Sequence, residues 1–443
     1  MARATRGTVA RMPATTVRST VPTVERATLG NGLRVVLAPD RSSPVVAVAV
    51  YYDVGIRSEP EGRTGFAHLF EHLMFQGSAS LDKMEHVKYV QASGGTLNGS
   101  TRLDYTNYYE ALPSHALDRA LFLEADRMRS PAVTEENLAN QIAVVKEEIR
   151  VNVLNQPYGG FPWLTLPPVL FETFANAHNG YGGFEDLESA TVEDAQDFFD
   201  RYYAPGNAVL VVGGDLDTTD AMGLVERHFG DVPARAVPAR PDFDEPAPTS
   251  EKRGEQVDPQ APAPALALAW RTPDPADLAA YLPFVVLSSA LATGDASRLR
   301  RRLMHEDSLA TDVGTHIGVM QDPFDVRNPT IFTIEAHHSG DVAADRVVAA
   351  ADEELDKVAT DGVDRAEVER VQARLESAIL QGSDHVLART LSMAAFEQQR
   401  GRAELVGEIA GLVAEVTPEQ VQAAAATLTP DARARLDLVA GAT

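Results

Sequence analysis

The sequence predicts an α+β fold of two similar domains, each a mixed or antiparallel sheet covered by helices, joined by a Pro-rich linker. Three observations carry this reading. The chain has 443 residues, more than a single core usually organises. Strand-like and helix-like segments alternate in both halves in the order strand, helices, strand, long helices. Between about Asp231 and Pro264 the sequence becomes VPARAVPARPDFDEPAPTSEKRGEQVDPQAPAP, too rich in Pro for a helix core or a central strand. The expected division is a disordered start over 1–24, a first domain over 25–230, the linker over 231–264 and a second domain over 265–443.

Along the first half, LRVVLAPD and PVVAVAVYYDVG read as strands separated by a polar turn. A compact helical stretch, GFAHLFEHLMFQG, runs from Gly65 to Gly77. An amphipathic segment around Met84 to Ala92 follows, then a turn at Gly94-Gly95 and a strand from Asn107 to Pro113. HALDRALFLEADRM and EENLANQIAVVKEEIRVNVL are helical, the second with Ile142, Val145 and Ile149 at helical spacing. A helix near Glu193 to Tyr203 leads through Pro205-Gly206 into the strand NAVLVVGG. Beyond the linker, ALALAW and TIFTIEAHH are strand-like, and 342–359 and 365–380 are helical.

Composition narrows the function. With 44% hydrophobic and 23% charged residues the chain is globular. Its 39 Lys and Arg against 64 Asp and Glu give a formal charge of -25, which disfavours nucleic acid and anionic membrane surfaces and can concentrate cationic peptides. No Cys is present, so disulfides, thiolate zinc sites and cysteine nucleophiles are excluded. No apolar run reaches the roughly 18 residues of a membrane helix. The opening MARATRGTVARMPATTVRSTVPTV is basic but lacks a secretory signal's apolar centre. It reads as a disordered start, an overlong start or an organellar presequence, and the expected location is cytoplasmic.

The sharpest local feature is His68-Leu69-Phe70-Glu71-His72. Residues four apart share a helix face, so His68 and His72 can present two imidazoles to one metal, with Glu71 beside it as a base for an attacking water. Two surface or capping histidines on an ordinary helix are the plain alternative. A hydrolytic zinc needs a third ligand, and without Cys it must be His, Asp or Glu. VVKEEIR offers Glu147 and Glu148. For Glu147 a solvated or salt-bridged carboxylate is the preferred reading, and for Glu148 local evidence leaves the matter open. Asn98 reads from its neighbours as a turn residue after Gly94-Gly95. His178, in NAHNGYGG, reads as a turn residue with a substrate-loop role as the alternative, and His337-His338 forms no complete cluster. There is no phosphate loop and no nucleophile elbow.

From about Glu25 to its end the chain resembles the pitrilysin and insulinase group (family M16) of zinc peptidases, in the two-domain branch of the mitochondrial processing peptidases and their bacterial relatives. The resemblance rests on the inverted motif H-x-x-E-H at His68 to His72, on VVKEE, on GGTLNGSTRLDYTNYYEALP and on FFDRYYAPGNAVLVVGGDLD. It implies one zinc per chain held by His68, His72 and Glu148, the last 76 residues after His72, with Glu71 as general base. It also implies that Asn98, Gly99 and Ser100 line an extended peptide substrate. Where many family members have a second Glu seven residues before the ligand, this chain has Gln141, which can hydrogen-bond but adds no charge to the metal site's surroundings.

In SRLRRRLMHEDSLATDV, the family's substrate-facing Arg and Tyr are matched by Met304 and Thr311. Met donates no hydrogen bond, and Thr lacks the reach of Tyr. Arg300, Arg301 and Arg302 read as a solvated basic face or a contact for an acidic partner. The resemblance therefore implies a zinc metalloendopeptidase for peptides or short unfolded segments, completed in a heterodimer by a similar zinc-less subunit carrying Arg and Tyr. A homodimer is the alternative assembly. A non-catalytic structural or peptide-binding subunit is the competing class.

Overall fold

The computed structural model describes residues 22–441. Most of the expected disordered start therefore lies outside the described residues. The first sheet comprises β1 (Glu25–Thr28), β2 (Arg34–Pro39), β3 (Val45–Tyr52), β4 (Thr96–Thr101), β5 (Thr106–Pro113) and β6 (Ala208–Gly214), in the order β1-β2-β6-β3-β5-β4. Only the β2–β6 pair is parallel. The second sheet comprises β7 (Lys252–Asp258), β8 (Ala265–Arg271), β9 (Asp312–Ile317), β10 (Ile331–His337) and β11 (Arg433–Ala440), in the order β7-β11-β8-β10-β9, with only β7–β11 parallel.

Setting β1 aside, the two sheets share one topology: the first strand pairs in parallel with the last, and the remaining pairs are antiparallel. The expected pair of similar α+β domains with mixed sheets is thus present. One boundary needs correction. Residues 252–258, expected to be linker, form the edge strand β7. KRGEQVD contains no Pro and its exposure alternates along the strand, so an edge position suits it even though it lacks the apolar signature of a buried strand.

The helices in chain order are α1 (Phe66–Leu73), α2 (Glu85–Ala92), α3 (Leu117–Arg129), α4 (Glu135–Ile149), the short α5 (Pro167–Leu170), α6 (Phe174–Ala177) and α7 (Phe184–Glu188), then α8 (Val192–Tyr202) and α9 (Thr218–Phe229). The second half adds α10 (Leu278–Ala292), α11 (Ala344–Asp361), α12 (Arg365–Gly382), α13 (Val386–Arg400), α14 (Leu405–Ala414) and α15 (Pro418–Ala425). Among the described residues no helix is long and apolar enough to cross a membrane.

Both faces of each sheet are covered, which explains why β3 reads VVAVAVYY without a polar alternate. On one face, Val46, Val48, Val50 and Tyr52 pack with α1, α3 and α8. On the other, Ala49 and Tyr51 join a core that includes Met393 and Ala394 of α13, a helix from the second half. The exchange is reciprocal. Phe161, Leu166, Leu170 and Phe171 of the first half pack on Ala265, Ala267, Ala269 and Leu436 of the second sheet. Each half therefore lends the other one of its covering layers.

A buried charge network ties the halves at the same seam. Arg57 is 2% exposed and bonds both carboxylate oxygens of Asp104 at 3.2 Å and the Pro329 carbonyl at 2.7 Å. Asp104 also accepts from the Arg327 amide and the Asn328 side chain. Burial alone would raise the Asp104 pKa, but Arg57 and these donors bring it below the ordinary carboxylate value. We predict that Asp104→Ala costs about 3–5 kcal/mol by leaving Arg57 buried and unpaired. Asp118→Ala, which removes the exposed partner of Arg227, costs at most about 1 kcal/mol. Equal denaturant midpoints for the two variants would contradict this.

Candidate metal centre

Helix α1 is only eight residues long, too short to persist by itself. Phe66, Ala67, Leu69, Phe70 and Leu73 bury its apolar face and leave His68, Glu71 and His72 on the opposite side. Its N-terminus is set by Gly65 at φ +85, where a Cβ would lie 2.5 Å from the Tyr181 carbonyl. Gly65 has no side chain to cap the helix, and the carboxylate of Glu59 does so from outside, accepting from the amides of Gly65 at 2.9 Å and Ala67 at 2.7 Å. His178 holds Glu59 in turn through Nε2 at 3.1 Å, while its Nδ1 lies 2.8 Å from the Phe174 carbonyl. His178 lies in the bend that ends α6, in keeping with the turn reading. It supports the helix that carries the histidine pair.

The third donor arrives on α4, capped by Thr134 and held by buried Leu138, Gln141, Val145 and Ile149. Glu148 stands 3.6 Å from His68 Nε2 and 3.3 Å from His72 Nε2, and one ligand atom from each of the three lies within 4.8 Å of the others. Glu147, one position earlier, is exposed and pairs with Arg150. The His68 imidazole is pushed down to about 4 by burial and by His72, with Glu148 opposing. It is therefore neutral, with a lone pair to donate. Contact with His72 leads the causes that lower Glu148, against burial. Two imidazoles and one ionised carboxylate, with His68 lining a cavity, form the donor set of a hydrolytic zinc site, so these residues fit the ion.

Strand β4 passes directly beneath. Thr101 Oγ1 donates to Glu71 Oε2 at 2.7 Å. Burial raises the Glu71 carboxyl above its ordinary value, with Thr101 and His72 opposing. At Gly99 a Cβ would sit 3.3 Å from the Glu71 side chain, so a small residue lets strand and helix approach. Asn98 is exposed within β4 and its side chain accepts from the Gly99 amide. It is a strand residue, not the turn residue that its neighbours suggested. Ser100 donates to Asn107. Among the described residues β4 pairs only with β5 and forms the edge of the sheet. A cavity of about 220 Å³ borders His68, Glu71, Ser100, Thr101 and Tyr181, with Met320 contributed by the second half.

Two models of one peptidase family match the chain: "Insulinase (Peptidase family M16)" over residues 34–158, and "Peptidase M16 inactive domain" over residues 189–375. The chain belongs to peptidase family M16. It is 28% identical over 372 residues to "Zinc protease PqqE" of Helicobacter pylori, covering 80% of this chain and 79% of that protein. A crystal structure described as a protease from Helicobacter pylori shares its fold with a TM-score of 0.86 at 24% identity, covering 94% of this chain and 99% of that one. The periplasmic protease PqqL from Escherichia coli has a TM-score of 0.77 at 17% identity, and the match spans 94% of this chain but 47% of that one.

In this M16 chain all three expected ligands and the expected base belong to the segment matched by the first model. Gln141 is buried on α4 and donates to Asn140 at 2.8 Å. Met304 packs partly into the second core. The Thr311 hydroxyl donates to the His337 carbonyl at 3.2 Å, so neither position offers a free donor. Arg300, Arg301 and Arg302 pair with Asp312, Glu306 and Asp307 within the chain. His337 pairs with Glu335.

Sequence reasoning missed Glu59, Thr101 and Tyr181. The Tyr181 hydroxyl donates to Glu148 at 3.3 Å and its ring meets His68 edge-on. Thr101 and Tyr181 lie in stretches already singled out, but Glu59 carries no local signal. A second gathering, His86, Glu110 and Glu124, was also invisible in sequence. It is fully buried beside Arg127, which bonds Glu124. That guanidinium supplies the cation, and burial, then Glu124, pushes the Glu110 carboxyl well above its ordinary value, so a metal is not called for.

His178→Leu is expected to destabilise the fold by about 1–3 kcal/mol, because Glu59 then loses a buried partner. Burial lowers the His178 pKa, but the bond and charge of Glu59 raise it further, so its net value stands above the ordinary 6.5. Its contribution is complete below that value and is lost as pH rises through the folded-state value. The stability gap between wild type and variant, followed by urea denaturation, should narrow with rising pH; a gap that widens would contradict the assignment.

Proposed function

We propose that this chain is the zinc-bearing subunit of a cytoplasmic metalloendopeptidase that hydrolyses peptides or short unfolded segments. The observation that carries the reading is the convergence of His68, His72 and Glu148 beside Glu71, with His68 and Glu71 lining a cavity that also borders Ser100 and Thr101 of the edge strand β4. Zinc held by these three side chains would supply Lewis-acid polarisation of the scissile carbonyl and make water a stronger acid. The residues do the rest. An extended peptide adds to the open edge of β4, where Asn98, Gly99 and Ser100 supply main-chain hydrogen bonds, and side-chain pockets give preference. Glu71, with one oxygen held by Thr101, uses the other to orient the attacking water and take its proton, then returns it to the leaving amine.

At the two matched positions of the second half the chain offers no free donor for the oxyanion. Met304 is partly buried and the Thr311 hydroxyl is engaged. A preorganised donor contributes about 3–4 kcal/mol to the transition state. We infer that a similar, zinc-less subunit bearing Arg and Tyr supplies it. The PqqL match, in which this fold covers about half of a longer chain, supports a two-part enclosure.

Metal analysis of protein prepared without chelator is expected to show one zinc per chain, reduced in His68→Ala, His72→Ala and Glu148→Ala. Glu71→Gln should keep the zinc and lose about 100-fold or more of hydrolysis of a quenched unfolded peptide. Loss of both zinc and activity in Glu71→Gln would move Glu71 into the ligand set. For the partner, the chain alone should turn over slowly and be activated by a paralogue with Arg and Tyr. Full turnover by the isolated chain, or activation that survives loss of both partner residues, would overturn the divided site.

A further inference from the structure

An excess of arginine over carboxylate lies at the seam of the two halves, away from the candidate metal centre. Arg34 opens β2, Asp53 follows β3, and Gly206 and Asn207 precede β6, so three strands of the first sheet end at one place. The C-terminal end of α13, residues Gln398 to Arg402, forms the facing wall, and Val237 and Arg240 form a roof. The cavity they enclose measures about 600 Å³ and shares no lining residue with the metal centre.

Its wall carries the guanidinium groups of Arg34, Arg240, Arg400 and Arg402 and a single carboxylate, Asp53, within a chain whose formal charge is -25. Asp53 is already engaged by Arg240 and Arg327 at 2.9 Å. Arg402 pairs with Glu408 at 2.6 Å. Among the described residues the other two are less fully paired. Arg34 bonds the Gln398 amide oxygen at 2.7 Å, and the nearest carboxylate, Glu397 at 3.9 Å, is shared with Arg26 at 3.0 Å. Arg400 bonds only the carbonyls of Pro275 and Val326. Burial holds both guanidinium groups below their ordinary basicity, against the pull of Glu397 and Asp53 on Arg34 and of Tyr281, Asp274 and Asp104 on Arg400.

The same wall holds a set of unpartnered polar atoms. Gln398 and Gln399 are 4% and 7% exposed. Gln398 Nε2, Gln399 Nε2, one terminal nitrogen of Arg400 and Gln399 Oε1 are buried with no hydrogen-bond partner among the described residues. A buried donor or acceptor left unmade costs about 1–3 kcal/mol, and native structures rarely gather several in one place without a ligand or water. Here they number three donors and one acceptor beside two under-neutralised cations. The side chains that carry these guanidinium and amide groups all line the one cavity, a combination that suits an oxyanion, and the lone acceptor requires a donor next to it.

We propose that this interdomain cavity is a binding site for a small oxyanion, a carboxylate or phosphate group with an adjacent hydrogen-bond donor, held by Arg34, Arg400, Gln398 and Gln399. The site is separate from the peptidase reading and stands or falls without it, because its test measures binding and not hydrolysis.

Titration calorimetry of the full chain with N-acetylglycine, inorganic phosphate and N-acetylglycinamide separates the sources of the chemistry. Saturable binding of N-acetylglycine with one site per chain, with the amide silent, identifies a carboxylate carrying an N–H. Preference for phosphate identifies a phosphate ligand. Either supports the site if Arg34→Gln and Gln399→Leu each weaken binding by about tenfold or more while both variants unfold cooperatively with their zinc content unchanged. Arg240→Gln, at an exposed position, is the variant least able to disturb the fold, and it should weaken binding by a smaller factor that shrinks with added salt. Equal binding of the neutral amide, no binding of any probe at 10 mM as an order-of-magnitude ceiling for such fragments, or binding unchanged in both Arg34→Gln and Gln399→Leu would overturn the proposal.

Discussion

The metal centre depends on a buried carboxylate that is not part of it. An eight-residue helix cannot hold two imidazoles in register by its own hydrogen bonds, and the glycine at its N-terminus offers no cap. Glu59 replaces that cap from a different segment, and His178 from a third segment keeps Glu59 in place. Burial still leaves the Glu59 carboxyl above its ordinary value, but the cost is offset in part because its oxygens meet two backbone donors and an imidazole in a low-dielectric site, where such bonds are strongest. The rotation of α1 about its axis follows, and with it the direction of His68, Glu71 and His72 toward α4.

The second constraint is that neither sheet could stand with both faces apolar unless something covered the second face. The chain meets it by exchange: α13 lies on the first sheet and the segment around Phe161 to Phe171 on the second. The halves are therefore not beads on a string, and the Arg57–Asp104 pair with Arg327 locks the seam with charges that are excluded from solvent. The residues that line the cavity beside His68 and Glu71 come from both halves for the same reason, as Met320 shows.

Charge is distributed against the average. The acidic whole can draw in cationic peptides, whereas the seam between the strand ends and α13 concentrates arginines beyond the carboxylates available to them. Fully buried Arg127, by contrast, is matched within its own cluster by Glu124.

Local pattern determined the class of fold, the repeated strand and helix order, the Pro-rich seam and the His68-Glu71-His72 face, because period and spacing act over a few residues. The family resemblance, and not spacing, selected Glu148 over Glu147. The tertiary structure alone decided that Glu148 reaches both imidazoles, since a distance across 76 residues is set by the packing of α1 on α4. It also decided that a polar, Pro-free stretch inside the expected linker is the edge strand β7, that Asn98 is a strand residue, and that His178 braces the metal helix. Those outcomes rest on which neighbours arrive from distant segments to accept a hydrogen bond or exclude water, and such neighbours leave no mark on the sequence around the residue they complete.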